Sequence, residues 1–175
     1  MAIDWFLVVI TFLSTLLATF IGVGLAFYLN KKQNDTLERT KARRLLFLLK
    51  NDIEFNIVLL HELKKWLPDS NHVVFFNLNF VIWNSLPSNI IPFLSKPEII
   101  TEISKFYYQL QHLSRKVDML FNLGFGHDST KENQNKRKEL VPSIKEHASS
   151  ILEGRICKSP LSIIPEIDCL IKELK

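Results

Sequence analysis

Residues 5–29 are 25 consecutive positions without a charged side chain, and most of them are apolar. A helix needs about 20 such residues to cross the hydrocarbon core of a bilayer, so this run is long enough to span a membrane. Trp5 and Tyr28 bracket it, and amphipathic aromatic side chains favour the level of the lipid headgroups. The sequence therefore predicts one transmembrane helix within an anchor formed by residues 1–30.

Basic residues are concentrated directly after this run. Residues 31–50 carry seven Lys and Arg side chains against Asp35 and Glu38, whereas residues 51–175 carry 15 basic and 15 acidic side chains. Lys and Arg near a span stay on the cytoplasmic side, which predicts an outward N-terminus and a cytoplasmic body. Because that body has no basic excess, a nucleic-acid partner is not expected.

Basic side chains beside a span attract anionic lipid headgroups. We therefore expect membrane lipid to contact a basic collar formed by Lys31, Lys32, Arg39, Lys41, Arg43 and Arg44.

A cleaved signal peptide is the alternative interpretation of residues 1–30, since Gly24-Leu25-Ala26 has the small-x-small pattern of a cleavage site. Signal peptides begin with a positive segment and have an apolar core of about 7 to 15 residues. Here Asp4 is the only charged side chain before the run, and the run is longer than such a core. We therefore expect a retained anchor in the inner (plasma) membrane.

Two rows of small or hydroxylated residues repeat every four positions within the apolar run. They comprise Ser14, Ala18, Gly22 and Ala26 in one row and Thr11, Thr15 and Thr19 in the other. Small residues let helices approach closely in lipid, so the rows predict a helix–helix contact with a second copy or a protein partner. The alternative is an ordinary anchor in which the hydroxyl groups bond back to their own helix.

The absence of Pro and Gly between Leu25 and Leu67 predicts that the span continues as one long helix. Its later part has apolar residues at the spacing of a packed helix face, up to a turn at residues 68–71. Residues 73–86 alternate like a strand, but a lone strand leaves its backbone groups without partners. We therefore predict a short helix over residues 79–86 with Trp83 in the core, followed by a connector over residues 87–95.

The rest of the chain predicts three further helices. Ser95 and Glu98 form a capping box, S-x-x-E, before a strongly amphipathic helix that should end near Leu123. Residues 127–138 are polar and predict a surface loop or a frayed helix start.

A second capping box is predicted after Pro142. It would consist of Ser143 and Glu146 and begin a helix that ends before Gly154. The last helix would have Pro160 or Pro165 in its first turn. The fold class is therefore all-α: an N-terminal transmembrane helix continues through a basic juxtamembrane helical segment (31–50) into a small cytoplasmic helical bundle (51–175).

The sequence contains no motif for phosphate binding, nucleophilic catalysis or zinc binding, and it has only five glycines. No cofactor, metal site or catalytic residue is therefore predicted. Glu98 and Glu102 share a helix face and are the alternative candidate for paired catalytic carboxylates. Lys105 lies three residues beyond Glu102 and favours a solvated ion pair instead. Cys157 and Cys169 are expected to be free thiols in a reducing cytoplasm.

These observations favour a non-enzymatic, membrane-anchored helical protein that acts as an interaction or scaffold module at the cytoplasmic face. The layout resembles that of small prokaryotic membrane proteins, and this resemblance covers architecture only. An oligomerising effector that perturbs or conducts across the bilayer is the first alternative. An enzyme with an unrecognised site is the second.

Overall fold

A computed structural model describes residues 5–67, 77–85, 96–125 and 131–174. Within these ranges the chain forms five helices and no strand, which confirms the all-α prediction. The chain divides into two compact units, Met1–Lys41 and Ala42–Lys175. The predicted turn at residues 68–71, the connector at residues 87–95 and Ser95 of the first capping box lie outside the described residues.

The first helix, α1, extends over Trp5–Trp66 and confirms the predicted uninterrupted helix. In the first unit its described apolar side chains are all exposed, from Phe6 to Leu37. The most apolar 18-residue window has a mean hydropathy of 2.4, with none of its residues buried. By length and composition, α1 is the one helix among the described residues that could cross a membrane.

The second unit has one continuous hydrophobic core. It is formed by the later part of α1, α3 (Glu98–Phe125), α4 (Lys131–Leu152) and α5 (Pro160–Glu173). The apolar stripes predicted on α1 and α3 face this core: Leu46, Leu49, Ile53, Leu60, Ile103, Phe106, Leu110 and Leu113 have no exposed surface. Their burial is the main source of stability, because the apolar area removed from water drives helix packing.

Residues 77–85, which we call the strap, pack against this core. The strap begins with residues 77–80, which belong to no helix or strand, and continues as a single-turn helix α2, Val81–Asn84. The predicted short helix is therefore confirmed but is shorter than expected. Leu78 is buried, and Trp83 is partly buried against the core.

The second predicted capping box is wrong, because α4 begins at Lys131 and continues through Pro142. Ser143 lies inside this helix, and its Oγ accepts a hydrogen bond from Lys116 Nζ at 3.0 Å. Residues 131–138 are helical, which favours the helix start over the loop among the two predictions for residues 127–138, and residues 127–130 lie outside the described residues. Leu140 and Val141 pack against the core just before the proline. Their burial offsets the backbone hydrogen bond that Pro142 cannot donate.

The end of α4 confirms the role predicted for Gly154, which has a φ of +75°. The N–H of Arg155 donates to Ser150 O at 2.9 Å and that of Gly154 to Ile151 O at 3.2 Å, which is the Schellman pattern of a helix end. Ser159 Oγ–H donates to Leu152 O at 2.9 Å. The next residue, Pro160, is the first of α5.

Candidate functional site

The strap is attached to α1 through its main chain. Asn56 on α1 is fully buried, and its Nδ2–H donates to Asn79 O at 2.8 Å. In return, the Asn79 N–H donates to Asn56 Oδ1 at 2.9 Å. The Asn56 side-chain amide therefore satisfies both the backbone N–H and the backbone C=O of Asn79, as a neighbouring strand would do. This contact recognises backbone rather than a particular side chain.

Aromatic rings attach the strap to α3. The Trp83 ring is stacked on the Tyr107 ring, with centroids 5.1 Å apart and planes at 7°. Phe80 meets the same ring edge-on at 6.4 Å, and Phe106 meets it edge-on at 5.3 Å. Such pairs contribute about 0.5–1.5 kcal/mol beyond the area they bury. Tyr107 is therefore the aromatic centre of the contact between strap and core.

Asp52 is buried next to this aromatic centre, one helical turn before Asn56. It is 4% exposed, and the Tyr107 hydroxyl donates to its Oδ2 at 2.5 Å. Its other oxygen, Oδ1, has no hydrogen-bond partner among the described residues. Burial raises the pKa of Asp52, while the Tyr107 hydroxyl and the Asn79 side chain act in the opposite direction. Burial, and then the neighbouring carboxylate, also raise the pKa of Tyr107.

A second polar contact joins α3 and α4. His147 Nε2 lies 3.0 Å from Gln109 Oε1, while its Nδ1 is buried without a partner in the described structure. Burial lowers the pKa of His147, and the charges of Lys116 and His112 add to this effect. The same two helices line a groove of about 660 Å³ with Met119, Asn122, Leu123, Lys136, Glu139, Leu140 and Ser143. In this groove the Ser143 hydroxyl accepts a hydrogen bond from the Lys116 ammonium group.

In the predicted membrane stripe, the hydroxyl groups bond to their own helix. Thr11 donates to Leu7 O at 2.7 Å, and Thr15 and Ser14 donate to Thr11 O at 2.8 and 2.9 Å. Thr19 donates to Thr15 O at 2.8 Å. These bonds match the alternative in which no partner helix is needed to satisfy the hydroxyls.

Two residues of the stripe line a groove on the surface of the helix. Thr15 and Thr19 lie in a shallow groove of about 290 Å³ on the helix, whose other lining residues are Phe12, Leu16, Phe20 and Val23. A Cβ added at Gly22 would meet no atom within 4 Å. The surface around Gly22 is therefore open, and the helix–helix contact at Ala18, Gly22 and Ala26 stays a prediction.

All six residues of the basic collar are exposed. Lys41 Nζ forms an ion pair with Glu38 Oε1 at 2.8 Å. Within the described part of the chain, the other five form no ion pair of 4 Å or less. Their charges are therefore available to a lipid surface, and that contact stays a prediction.

Of the two carboxylates considered for catalysis, Glu102 is part of an ion pair in the structure. Glu102 forms an ion pair with Lys105 at 2.8 Å, as the sequence predicted. The hydrogen bond from Lys105 is the main cause that lowers the pKa of Glu102, the opposite of what a general acid requires. Glu98 is exposed at the start of α3. Cys157 and Cys169 are both free, the first buried and the second exposed.

No group of three or more metal-ligating side chains occurs among the described residues. Comparison with protein-family models, with curated proteins and with solved structures finds no match for this chain.

Sequence reasoning missed the buried polar pair of Asp52 and Asn56. The available signal was their position, because they lie four residues apart among the buried residues Leu49, Ile53 and Ile57. A polar residue within an apolar stripe must find a partner across the core. The sequence does not reveal that Tyr107 and Asn79 provide these partners, since both contacts join distant parts of the chain.

Proposed function

We propose that this chain is a membrane-anchored, non-enzymatic helical module that binds a protein partner, or a second copy of itself, at the cytoplasmic face of the membrane. The observation that carries the proposal is the exposure of large apolar side chains along α1. Phe6, Phe12, Phe20 and Phe27 are each at least 65% exposed in the first unit. Burying such a side chain is worth about 1.5–3 kcal/mol, so a lipid environment would stabilise this segment strongly.

The basic collar supports the proposed orientation. Basic residues beside a span stay in the cytoplasm and attract the anionic headgroups of that leaflet. The free, exposed side chains of Lys31, Lys32 and Arg39 suit this role. The second unit would then occupy the cytoplasm, where the anchor raises its effective concentration near other membrane components.

Self-association through the span is the part of the proposal that the exposed stripe supports. Because its hydroxyl groups bond to the backbone of α1, the contact would depend on close approach at Ala18 and Gly22 rather than on hydrogen bonds between helices. The same contact would serve a single helix of a partner protein.

Membrane fractionation of the full chain tests the anchor. The chain should remain in the membrane pellet after alkaline carbonate extraction, and only an N-terminal tag should be accessible from outside the cell. Release of the protein by carbonate would contradict the proposed span. External access to a C-terminal tag would contradict the orientation.

Cross-linking in membranes tests the stripe, with Gly22→Leu as the change and Gly24→Leu as its matched control. Position 24 carries the same residue but lies on the opposite side of the helix from the stripe, because two residues correspond to about 200° of rotation. We expect Gly22→Leu to reduce cross-linking to itself or to a partner and Gly24→Leu to preserve it. Equal cross-linking by both variants would refute the contact.

The alternative, an oligomerising effector that perturbs the bilayer, is favoured by the groove over Thr15 and Thr19. It predicts dye leakage from vesicles that contain the full chain, and the loss of that leakage in Gly22→Leu. A passive module predicts intact vesicles. The mass of the detergent-solubilised chain then distinguishes a second copy from a foreign partner.

A further inference from the structure

The strap covers a carboxyl group that the surrounding core does not neutralise. Asp52 accepts a hydrogen bond from Tyr107, and its Oδ1 has no hydrogen-bond partner among the described residues. The uncharged Asn79 side chain of the strap also favours the ionised form of Asp52, but it offsets the effect of burial only in part. No charged side chain is among the groups that change the pKa of Asp52. A buried carboxylate without a cation is costly, whereas the protonated form carries no such cost.

We propose that the strap is a pH-dependent latch, which closes over Asp52 when this carboxyl is protonated and is released when it ionises. The proposal does not depend on the membrane function, because all the groups involved belong to the second unit.

Opening the strap would break a limited set of attachments. These are the two hydrogen bonds between Asn56 and Asn79, the ring contacts of Trp83 and Phe80 with Tyr107, the burial of Leu78, and the packing of Ile82 against the core. None of the four residues of α2 is fully buried. The stripes of α1 and α3 also pack within the larger core, so they can remain in place when the strap leaves. Local opening is favoured where few apolar contacts hold a segment.

The burial of Asp52 determines how its protonation affects closure of the strap. Desolvation is the largest influence on Asp52 and raises its pKa in the closed state. An open strap would hydrate the carboxyl and return its pKa toward the ordinary value of about 4. The closed state therefore binds the proton more tightly, so closure is favoured at low pH and lost as the pH rises. Between the two pKa values, the opening equilibrium grows about tenfold per pH unit.

The other titratable groups near Asp52 do not explain such a response. On α3 the facing group is Tyr107, whose pKa burial raises still further above the physiological range. Residues 77–85 contain no titratable side chain. Of the nearby charges on α1, Lys50 forms ion pairs with Glu54 on the same helix and with Asp168 on α5.

The test uses the full chain in detergent micelles with Trp5 and Trp66 changed to Phe, so that Trp83 is the only fluorophore of its kind. Acrylamide quenching of Trp83 and hydrogen exchange of residues 77–85, corrected for intrinsic pH effects, are followed from pH 4.5 to 8. Far-UV circular dichroism monitors the helices. We expect quenching and exchange to increase with pH while the helical signal stays constant.

Three variants of this protein make the test specific. Asp52→Asn should keep the strap closed at every pH, because the amide cannot ionise. Tyr107→Phe keeps the stacked ring but removes the hydroxyl that favours the charged form, so the midpoint should move to higher pH. Asp118→Asn, a control at an exposed position on α3, should behave as the parent does.

A signal from Trp83 that does not change with pH would overturn the proposal, as would a response that persists in Asp52→Asn. That second result would point to another group in the titrated range, such as His147. If Asp52→Asn fails to fold, an unchanged midpoint in Tyr107→Phe overturns the proposal by itself.

Discussion

Replacing Asn56 by Ala would remove the clamp between α1 and the strap. The change deletes two hydrogen bonds, each with a net contribution of about 0.5–1.5 kcal/mol. If the strap stays closed, the N–H and C=O of Asn79 remain unpaired, and each such group then costs about 1–3 kcal/mol in place of that net contribution. The expected loss in the free energy of unfolding is therefore about 2–6 kcal/mol. If the strap is instead released into water, the loss in the free energy of unfolding cannot exceed the free energy that holds the strap in place.

Urea unfolding of the full chain in mild detergent, followed by circular dichroism, measures this loss. Hydrogen exchange of residues 77–85 shows whether the strap has been released. Asn51→Ala is the matched control, because Asn51 is exposed on the same helix and surface changes usually stay within about 0.5 kcal/mol. If Asn56→Ala unfolds like Asn51→Ala and the strap keeps its protection, the clamp does not stabilise the protein.

Two further predictions concern the core unit. Gly154→Ala should lower the free energy of unfolding by about 1–2 kcal/mol, because a left-handed conformation penalises a side chain, and its Cβ would lie only 3.0 Å from Ser159 N. Thermal melting measures this, and an unchanged melting temperature would contradict the positive φ. Asp52→Asn should stabilise the protein at pH 8, because a raised carboxyl pKa means that stability is lost as the pH rises above the ordinary value. Urea unfolding at pH 4.5 and 8 measures the difference in stability between the variant and the parent. A variant that is less stable than the parent at pH 8 would contradict this prediction.

Local patterns predicted the long helices well. The stripe on α3 repeats buried residues such as Ile103, Leu110 and Leu113 at helical spacing, and that spacing alone indicates the buried face. Gly154 likewise carries its own signal, because a helix often ends where a glycine adopts a positive φ. These features depend on neighbours within a few residues along the chain.

Features that depend on distant residues were missed or misjudged. Pro142 suggested a helix start, but the burial of Leu140 and Val141 extends α4 past it. Asp52 and Asn56 carried no prediction, because their partners Tyr107 and Asn79 lie 55 and 23 residues away in the sequence. A one-dimensional pattern shows that a buried polar residue needs a partner, but it does not identify that partner.

The ion pair between Lys50 and Asp168 has a consequence for synthesis of the protein. Its two residues are 118 positions apart, with Lys50 Nζ 2.9 Å from each carboxylate oxygen. At about 5–20 residues per second, the ribosome would need roughly 6 to 24 seconds to produce Asp168 after Lys50. Until α5 has been synthesised, Lys50 therefore lacks the carboxylate with which it pairs in the folded protein. This contact between the two helices can form only after nearly the whole chain has been made.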